Sequence, residues 1–308
     1  MQQTTQNNMP GAGTSSVFVA LVGRPNVGKS SLTNRLVGEK VAIVTQKPQT
    51  TRSRITGILT RGPVQYVLMD TPGIHAPRNK LDARMTQTTA ASVKDVDVTV
   101  MLFEPAGELT ESERTMIETL GGKAPAIAVI NKVDLLKDFA ALEARKKQIE
   151  AFGVFAQVLP VSAQDGTGCE ALLAALCGYA EPGPHYFDDD AFTDMPEKEL
   201  VAELIREKIL LFMREEIPHG VAVTIESFKE RPGSDLVDIS ALICCERKSH
   251  KGMIIGKGGQ MLKKISTAAR LDCEELLGVR INLRCFVKVM EGWRNVEHDL
   301  NELGFKKP

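Results

Sequence analysis

The chain has 308 residues, and 38 Lys and Arg against 39 Asp and Glu leave a formal net charge of −1. That balance excludes a wholesale polycation, and 43% hydrophobic with 25% charged residues is the make-up of a chain that buries a core. The length suits two domains, so near-neutrality can conceal opposite charges on separate parts.

Met1–Ser16 is rich in Gln, Asn, Thr, Gly and Ser and has neither a charged nor an apolar leader segment, so it reads as a disordered, solvated tail rather than a secretory signal. From Val17 short apolar runs alternate with helical stretches. Val17–Val22, Val64–Met69, Val96–Phe103, Pro125–Ile130 and Ala156–Val161 are expected as buried strands. Ser30–Val37, Lys80–Val93, Glu111–Leu120, Phe139–Phe152 and Cys169–Leu176 are expected as helices. This alternation predicts an α/β domain over 16–180, a mostly parallel sheet with helices on both faces. Ile55–Thr60, Arg61-Gly62-Pro63 and Val64–Met69 form a hairpin pattern, so one edge strand should run antiparallel.

The Pro-rich stretch ending the first domain, with Asp188-Asp189-Asp190, reads as a linker over 181–197; three adjacent carboxylates on a loop read as solvated rather than as a metal site. Over 198–308 the order is α-β-β-α-α-β: an amphipathic helix Lys198–Glu215, strands Ala222–Phe228 and Leu236–Cys244, a Gly-rich turn between helical stretches, helix Gln260–Leu277, strand Ile281–Val289 and a short terminal helix. That order predicts a small α+β domain with helices packed on one face of its sheet. The six cysteines include no C-x-x-C pair, which argues against zinc and for buried thiols in a reducing cytosol; Cys244 and Cys245 should face opposite sides of a strand. No apolar run reaches the ~18–20 residues that span a bilayer.

Strand Val17–Val22 runs into Gly23-Arg24-Pro25-Asn26-Val27-Gly28-Lys29-Ser30, which satisfies G-x-x-x-x-G-K-[ST] between a strand and a helix. Glycines let the backbone curl so that N–H groups converge on phosphates, and the helix adds its positive end. Lys29 would bridge the β and γ phosphates, and Ser30 would ligate Mg²⁺. Asp70-Thr71-Pro72-Gly73 closes a strand and puts Asp70 where it can hold the metal through water. Asn131-Lys132-Val133-Asp134 and Ser162-Ala163 close two more, all at the carboxyl ends where open α/β sheets bind ligands. The Asp134 carboxylate offers two acceptors to N1–H and the exocyclic amino group of guanine, a pair adenine lacks, so GTP and GDP are the expected ligands. Asn131 would tie neighbouring loops, the Lys132 stem would lie over the base, and an N–H near Ser162-Ala163 would meet its carbonyl.

These motifs resemble the translation-factor-related class of P-loop GTPases; GRPNVGKS with DTPGI fits the branch that holds Era, Der and MnmE. The resemblance implies that Gln49-Thr50-Thr51-Arg52 is the first switch, with Thr51 placed before Thr50 as ligand of Mg²⁺ and the γ phosphate, and Lys29, Thr51, Gly73 and Asn26 as the catalytic set. Two features bear on rate. Ile74 stands where Ras-like enzymes carry a water-positioning glutamine, so slow intrinsic hydrolysis is expected. Asn26 matches the residue that holds a monovalent cation in related potassium-activated enzymes, so K⁺ stimulation is expected, the alternative being that Asn26 only shapes the loop. His75 beside the second switch reads as a surface residue.

Ile255-Gly256-Lys257-Gly258-Gly259 contains G-x-x-G, and the elements around it resemble a KH module of the second type, in which the glycine turn clamps a single-stranded backbone. From Arg247 to Arg270 there are seven basic residues, Lys257, Lys263 and Lys264 among them, and no acid, the electrostatic footprint of nucleic-acid binding. One GTPase domain followed by one KH domain resembles the Era family over nearly the whole chain. That likeness implies a monomeric cytoplasmic GTPase that binds small-subunit ribosomal RNA near its 3′ end and assists maturation of the small subunit. It also implies loose association with the inner face of the membrane; a membrane-side regulator of growth is the alternative.

Overall fold

The computed structural model describes residues 13–47, 49–73, 77–94, 96–121, 124–213 and 217–306. In the first half, runs of Val, Ile and Leu between turn residues become β1 (Ser15–Gly23), β2 (Ile55–Arg61), β3 (Val64–Asp70), β4 (Val98–Phe103), β5 (Ala126–Ile130) and β6 (Gln157–Pro160), in the order β2-β3-β1-β4-β5-β6. All neighbours are parallel except β2 and β3, joined by the expected hairpin. The period-2 geometry of a strand splits β1 between two cores. Val17, Val19 and Leu21 pack with Leu32, Leu172 and Leu176 of helices α1 (Lys29–Val37) and α5 (Cys169–Cys177). Ala20 and Val22 pack with Phe103, Ile117 and Ile149 on the face of α3 (Glu111–Leu120) and α4 (Phe139–Glu150). α2 (Lys80–Ser92) follows the second switch region.

The connection to the second half is strapped down. Glu181-Pro182 (β7) pairs antiparallel with β1. The Gln65 side chain accepts from the N–H groups of Tyr186 and Phe187 at 2.8 and 3.1 Å. Farther on, Ile58 N–H donates to Phe192 O at 2.9 Å and the Thr193 hydroxyl to Thr56 O at 2.7 Å. Asp188, Asp189 and Asp190 are exposed, and Asp189 pairs with His185.

The second half comprises α6 (Glu197–Phe212), β8 (Val221–Glu230), β9 (Leu236–Cys245), α7 (Lys248–Ile255), α8 (Gln260–Leu277), β10 (Arg280–Val289) and α9 (Glu297–Glu302), with sheet order β10-β9-β8. Cys245 and Ile243 face α6 and α8 through Ile205, Ile209, Ile265 and Cys273. Cys244 and Ala222 face the other way, so this side of the sheet is apolar too and needs a cover that a one-faced arrangement lacks. Trp293, Leu300 and Leu303 supply it together with Leu81 and Met85 of α2. The domains therefore share a core. Among the described residues no helix is long and apolar enough to cross a membrane.

Candidate nucleotide and RNA sites

Gly23-to-Ser30 curls between β1 and α1 with positive φ at Gly23, Asn26 and Gly28. A Cβ on Gly28 would lie 2.2 Å from Nδ2 of Asn131, so only glycine lets the base loop pack beneath the phosphate loop. Asn131 uses that closeness: Nδ2 donates to Val27 O at 2.8 Å and Oδ1 accepts from Ala163 N–H at 3.1 Å, tying three loops together. Gly73 abuts Pro25 in the same way, its absent Cβ 2.7 Å from the Pro25 nitrogen. Thr71 donates to Leu21 O, and Pro72 O accepts from Thr89. Ile74 and His75 lie outside the described residues.

Three oxygens converge at the start of α1. The Ser30 hydroxyl donates to Asp70 Oδ2 at 2.6 Å and lies 2.9 Å from the hydroxyl of Thr51. Thr50, by contrast, spends its hydroxyl on Lys47 O and Thr45. Asp70 is fully buried with Oδ1 unpartnered, and burial pushes its carboxyl up to about 6 against the pull of Lys29 and of the Ser30 and Thr51 hydrogen bonds. Burial likewise pushes Lys29 down to about 8, with Asp70 opposing, while its ammonium donates to Gly23 O and Arg24 O at 3.0 Å. An orphaned carboxylate oxygen beside two hydroxyls is a donor set for a hard cation such as Mg²⁺ that also takes phosphate oxygens. Among the described residues no three His, Cys, Asp or Glu gather into a metal cluster.

At the base end, Asp134 is exposed and receives the Ser162 hydroxyl at 2.7 Å, which orients its carboxylate. Lys132 is held in the left-handed region at φ 63, a strained state for a non-glycine residue, and its ammonium reaches Glu104 at 2.8 Å. Val133 N–H donates to Val161 O. One cleft of about 950 Å³ is lined by Asn26, Lys29, Thr51, Asn131, Asp134 and Ala163, and also by Leu210 and Leu211 of α6.

Sequence reasoning missed three participants. Glu104 bridges Lys132 to Arg24, whose guanidinium lies 3.5 Å away. Arg35 donates to Ala163 O at 3.0 Å. Arg206 of α6 donates to Thr50 O. Their only sequence signal is charge, which reads as surface.

In the second domain Gly256, Gly258 and Gly259 all have positive φ, between α7 and the start of α8. Lys257 and Lys263 are exposed, without ion pairs among the described residues, and Ile255 is half-buried. Lys264 lies over the Phe212 ring at 4.3 Å and Arg270 pairs with Glu274, so these two cations are partly engaged within the domain.

A phosphate loop, a hydroxyl–carboxylate corner and an exposed, oriented carboxylate along one edge of a parallel sheet define a P-loop GTPase, here continued into a module of the KH type. Comparison with known proteins agrees: a model described as 50S ribosome-binding GTPase matches residues 18–132, and a KH-domain model matches 216–294. GTPase Era of Clostridioides difficile is 47% identical over 291 residues, 94% of this chain and 98% of that protein. GTPase Era of Caldanaerobacter subterraneus is also 47% identical, with 94% and 97% covered. Among solved structures, a variant Era of Aquifex aeolicus bound to GDP and AlF4⁻ aligns with TM-score 0.90 at 32% identity, covering 95% of this chain and 99% of that one. Era with MgGDPNP and nucleotides 1506–1542 of 16S ribosomal RNA aligns with TM-score 0.89 at 31% identity and the same coverage. The chain belongs to the Era family of GTPases, and its reaction is the hydrolysis of GTP.

Proposed function

We propose that this GTPase binds small-subunit ribosomal RNA near its 3′ end through Gly256–Gly259, and assists small-subunit biogenesis and rRNA processing according to its nucleotide state. The observation that carries the RNA reading is the turn itself. Three positive-φ glycines open an 18-residue helix beside exposed Lys257 and Lys263, with no acid between 247 and 270. N–H groups at that helix start favour phosphate, and the lysines add the non-specific attraction. The related Era solved with 16S nucleotides supports the choice of RNA.

In the cleft, backbone N–H groups of Gly23–Ser30 and the Lys29 ammonium bind the phosphates. Ser30 and Thr51 would hold Mg²⁺ directly and Asp70 through water, and the ion would supply charge neutralisation at the β and γ oxygens. Gly73, pressed on Pro25, presents its N–H to the γ phosphate, and Asp134 fixes guanine. Asn26 donates to Gln46 O at 2.7 Å, which leaves its own carbonyl oxygen for K⁺. With no glutamine or acid at Ile74, water is poorly oriented and turnover is slow. GTP orders the loops around Thr51 and Gly73, and through them the seat of the KH domain.

Co-sedimentation with small ribosomal subunits should be stronger with a non-hydrolysable GTP analogue than with GDP. Equal sedimentation in both states would sink the nucleotide dependence. The exposed lysines also suit an anionic membrane face; sedimentation with anionic vesicles and not with subunits would favour that second reading.

A further inference from the structure

The first switch is gripped from both sides. On one side the Thr51 hydroxyl meets Ser30 at 2.9 Å. On the other, the second domain holds the flanking segment: Glu207 Oε1 accepts from Val44 N–H at 3.1 Å, the Lys47 ammonium donates to Met213 O, and the Arg206 guanidinium donates to Thr50 O, one residue before the threonine that matters. Beyond it Arg52 reaches back across the interface to Val221 O and His219 O at 2.6 and 2.9 Å.

Arg206 is only 2% exposed. Its fork is set by Glu203, which takes Nε at 2.8 Å and one terminal nitrogen at 2.6 Å, while the other terminal nitrogen is buried with no hydrogen-bond partner. A spacer between domains needs no such group, because a buried guanidinium with an idle donor costs more than an apolar side chain of equal size. The same helix lines the nucleotide cleft with Leu210 and Leu211.

We propose that Arg206, oriented by Glu203, is a positioning residue for GTP hydrolysis: by holding the Thr50 carbonyl it presents the Thr51 hydroxyl to the metal corner at Ser30, so that α6 completes the GTPase centre from the second domain. The proposal rests on the reading of Thr51 as switch ligand. It makes the GTP-over-GDP preference depend on the docking of the RNA-binding domain, and linkage then requires RNA that stabilises this docking to strengthen the hold on GTP.

The test uses the full chain with Arg206→Gln, Arg206→Lys, Glu203→Gln and, as reference, Thr51→Ala. Affinities for GDP and for a non-hydrolysable GTP analogue are measured across Mg²⁺ concentrations, with kcat, KM and thermal unfolding. Arg206→Gln should weaken the analogue about tenfold, raise the Mg²⁺ needed by a similar factor and lower kcat, with GDP affinity changed less than about twofold, since it removes the charged hydrogen bond to the switch; the pairing with Glu203 that it also breaks lies within α6 and is read by thermal unfolding. Arg206→Lys should recover part of the loss, keeping the charge but not the fork, and Glu203→Gln should fall between. Should Arg206→Gln fail to fold, the other two decide. Equal weakening of GDP and analogue would make Arg206 a purely structural residue and overturn the proposal. Loss of the Mg²⁺ effect in Thr51→Ala but not in the Arg206 and Glu203 variants would overturn it while leaving Thr51 in place. No effect in any variant would remove the Thr51 reading as well.

Discussion

The nucleotide cleft and the proposed RNA turn both depend on glycines, at positive φ in Gly28, Gly258 and Gly259, but the space around those glycines differs. At Gly28 a Cβ would strike Asn131 at 2.2 Å, and at Gly73 it would strike Pro25 at 2.7 Å; at Gly258 and Gly259 nothing lies within 4 Å. In the nucleotide cleft, glycine lets one part of the protein close on another, so the cradle is assembled and hydrogen-bonded in advance. In the turn Gly256–Gly259, Gly256 is closed in the same way, its absent Cβ 2.7 Å from Cβ of Met261, whereas at Gly258 and Gly259 the missing side chains leave room that the fold does not fill. The first site is preorganised for a small ligand of fixed shape; the second, on the function proposed above, keeps the approach over Gly258 and Gly259 open for a backbone.

Alanine at the two kinds of position separates these roles, and the largest effect belongs to the cleft. Gly28→Ala combines an overlap with a buried side chain and left-handed strain, and should lower nucleotide affinity about 100-fold and stability by about 1–3 kcal/mol. Gly258→Ala has only the strain, about 1–2 kcal/mol, and should leave GTP hydrolysis intact while weakening RNA binding about tenfold. Calorimetry with GDP and fluorescence anisotropy with a single-stranded RNA read the two. Wild-type RNA affinity in Gly258→Ala would mean that the open space is not where the backbone passes.

Charge sharpens the same contrast. Lys257 and Lys263 are exposed and without ion pairs among the described residues, whereas Lys29 is buried. Replacing both exposed lysines by Gln should flatten the dependence of log affinity on log salt by about 1.4, at about 0.7 per phosphate contact on a single strand. An unchanged slope would place the RNA elsewhere. The buried pair responds to pH instead. Lys29 titrates near 8 and must be charged to meet phosphate, so GTP affinity should fall up to about tenfold per pH unit above 8, as a proton is taken up on binding. Asp70 titrates near 6 and must be ionised to hold a cation, so the Mg²⁺ requirement should rise as pH falls through 6. A profile flat from pH 5 to 9 would show that neither group changes charge on binding.

How much of this was legible in the sequence follows from the range of the forces involved. β1, β4 and β5 are buried on both faces, so composition alone marks them, and the phosphate, Asp70-to-Gly73 and Asn131-to-Asp134 motifs are local because each closes one strand. Thr50 and Thr51 could not be separated, because the difference is tertiary: one hydroxyl turns to Lys47 O and Thr45, the other to Ser30. Arg206 escapes a reading of the helix from its apolar positions, because what covers it and Glu203 is a switch loop 156 residues earlier. Pro, Gly and Asp mark 181–197 as a linker but do not say whether it is rigid; what pins it is tertiary, the Gln65 side chain on Tyr186 and Phe187 and the pairing of Glu181-Pro182 with β1 among the ties. The cover on the second face of the small sheet was likewise out of reach, since Leu81 and Met85 come from the other domain.

The smallest expected effect tests whether the preorganised site is complete without help. Asn26 sits at φ 62 and donates its amide to Gln46 O, so it joins the phosphate loop to the segment that leads into the first switch. Two roles fit that position: a loop-shaper that tolerates the left-handed region, or a cation ligand through the amide oxygen. Substitutions part them. Glycine keeps the backbone conformation and removes the oxygen; aspartate keeps an oxygen and removes the donor. If the oxygen holds K⁺ near the γ phosphate, hydrolysis should run a few-fold faster in K⁺ than in Na⁺, Asn26→Gly and Asn26→Ala should abolish the difference, and Asn26→Asp should retain part of it. A K⁺ effect that survives in Asn26→Gly would assign Asn26 to loop shape alone, and equal wild-type rates in both salts would leave the cradle to work on Lys29, its backbone N–H groups and Mg²⁺.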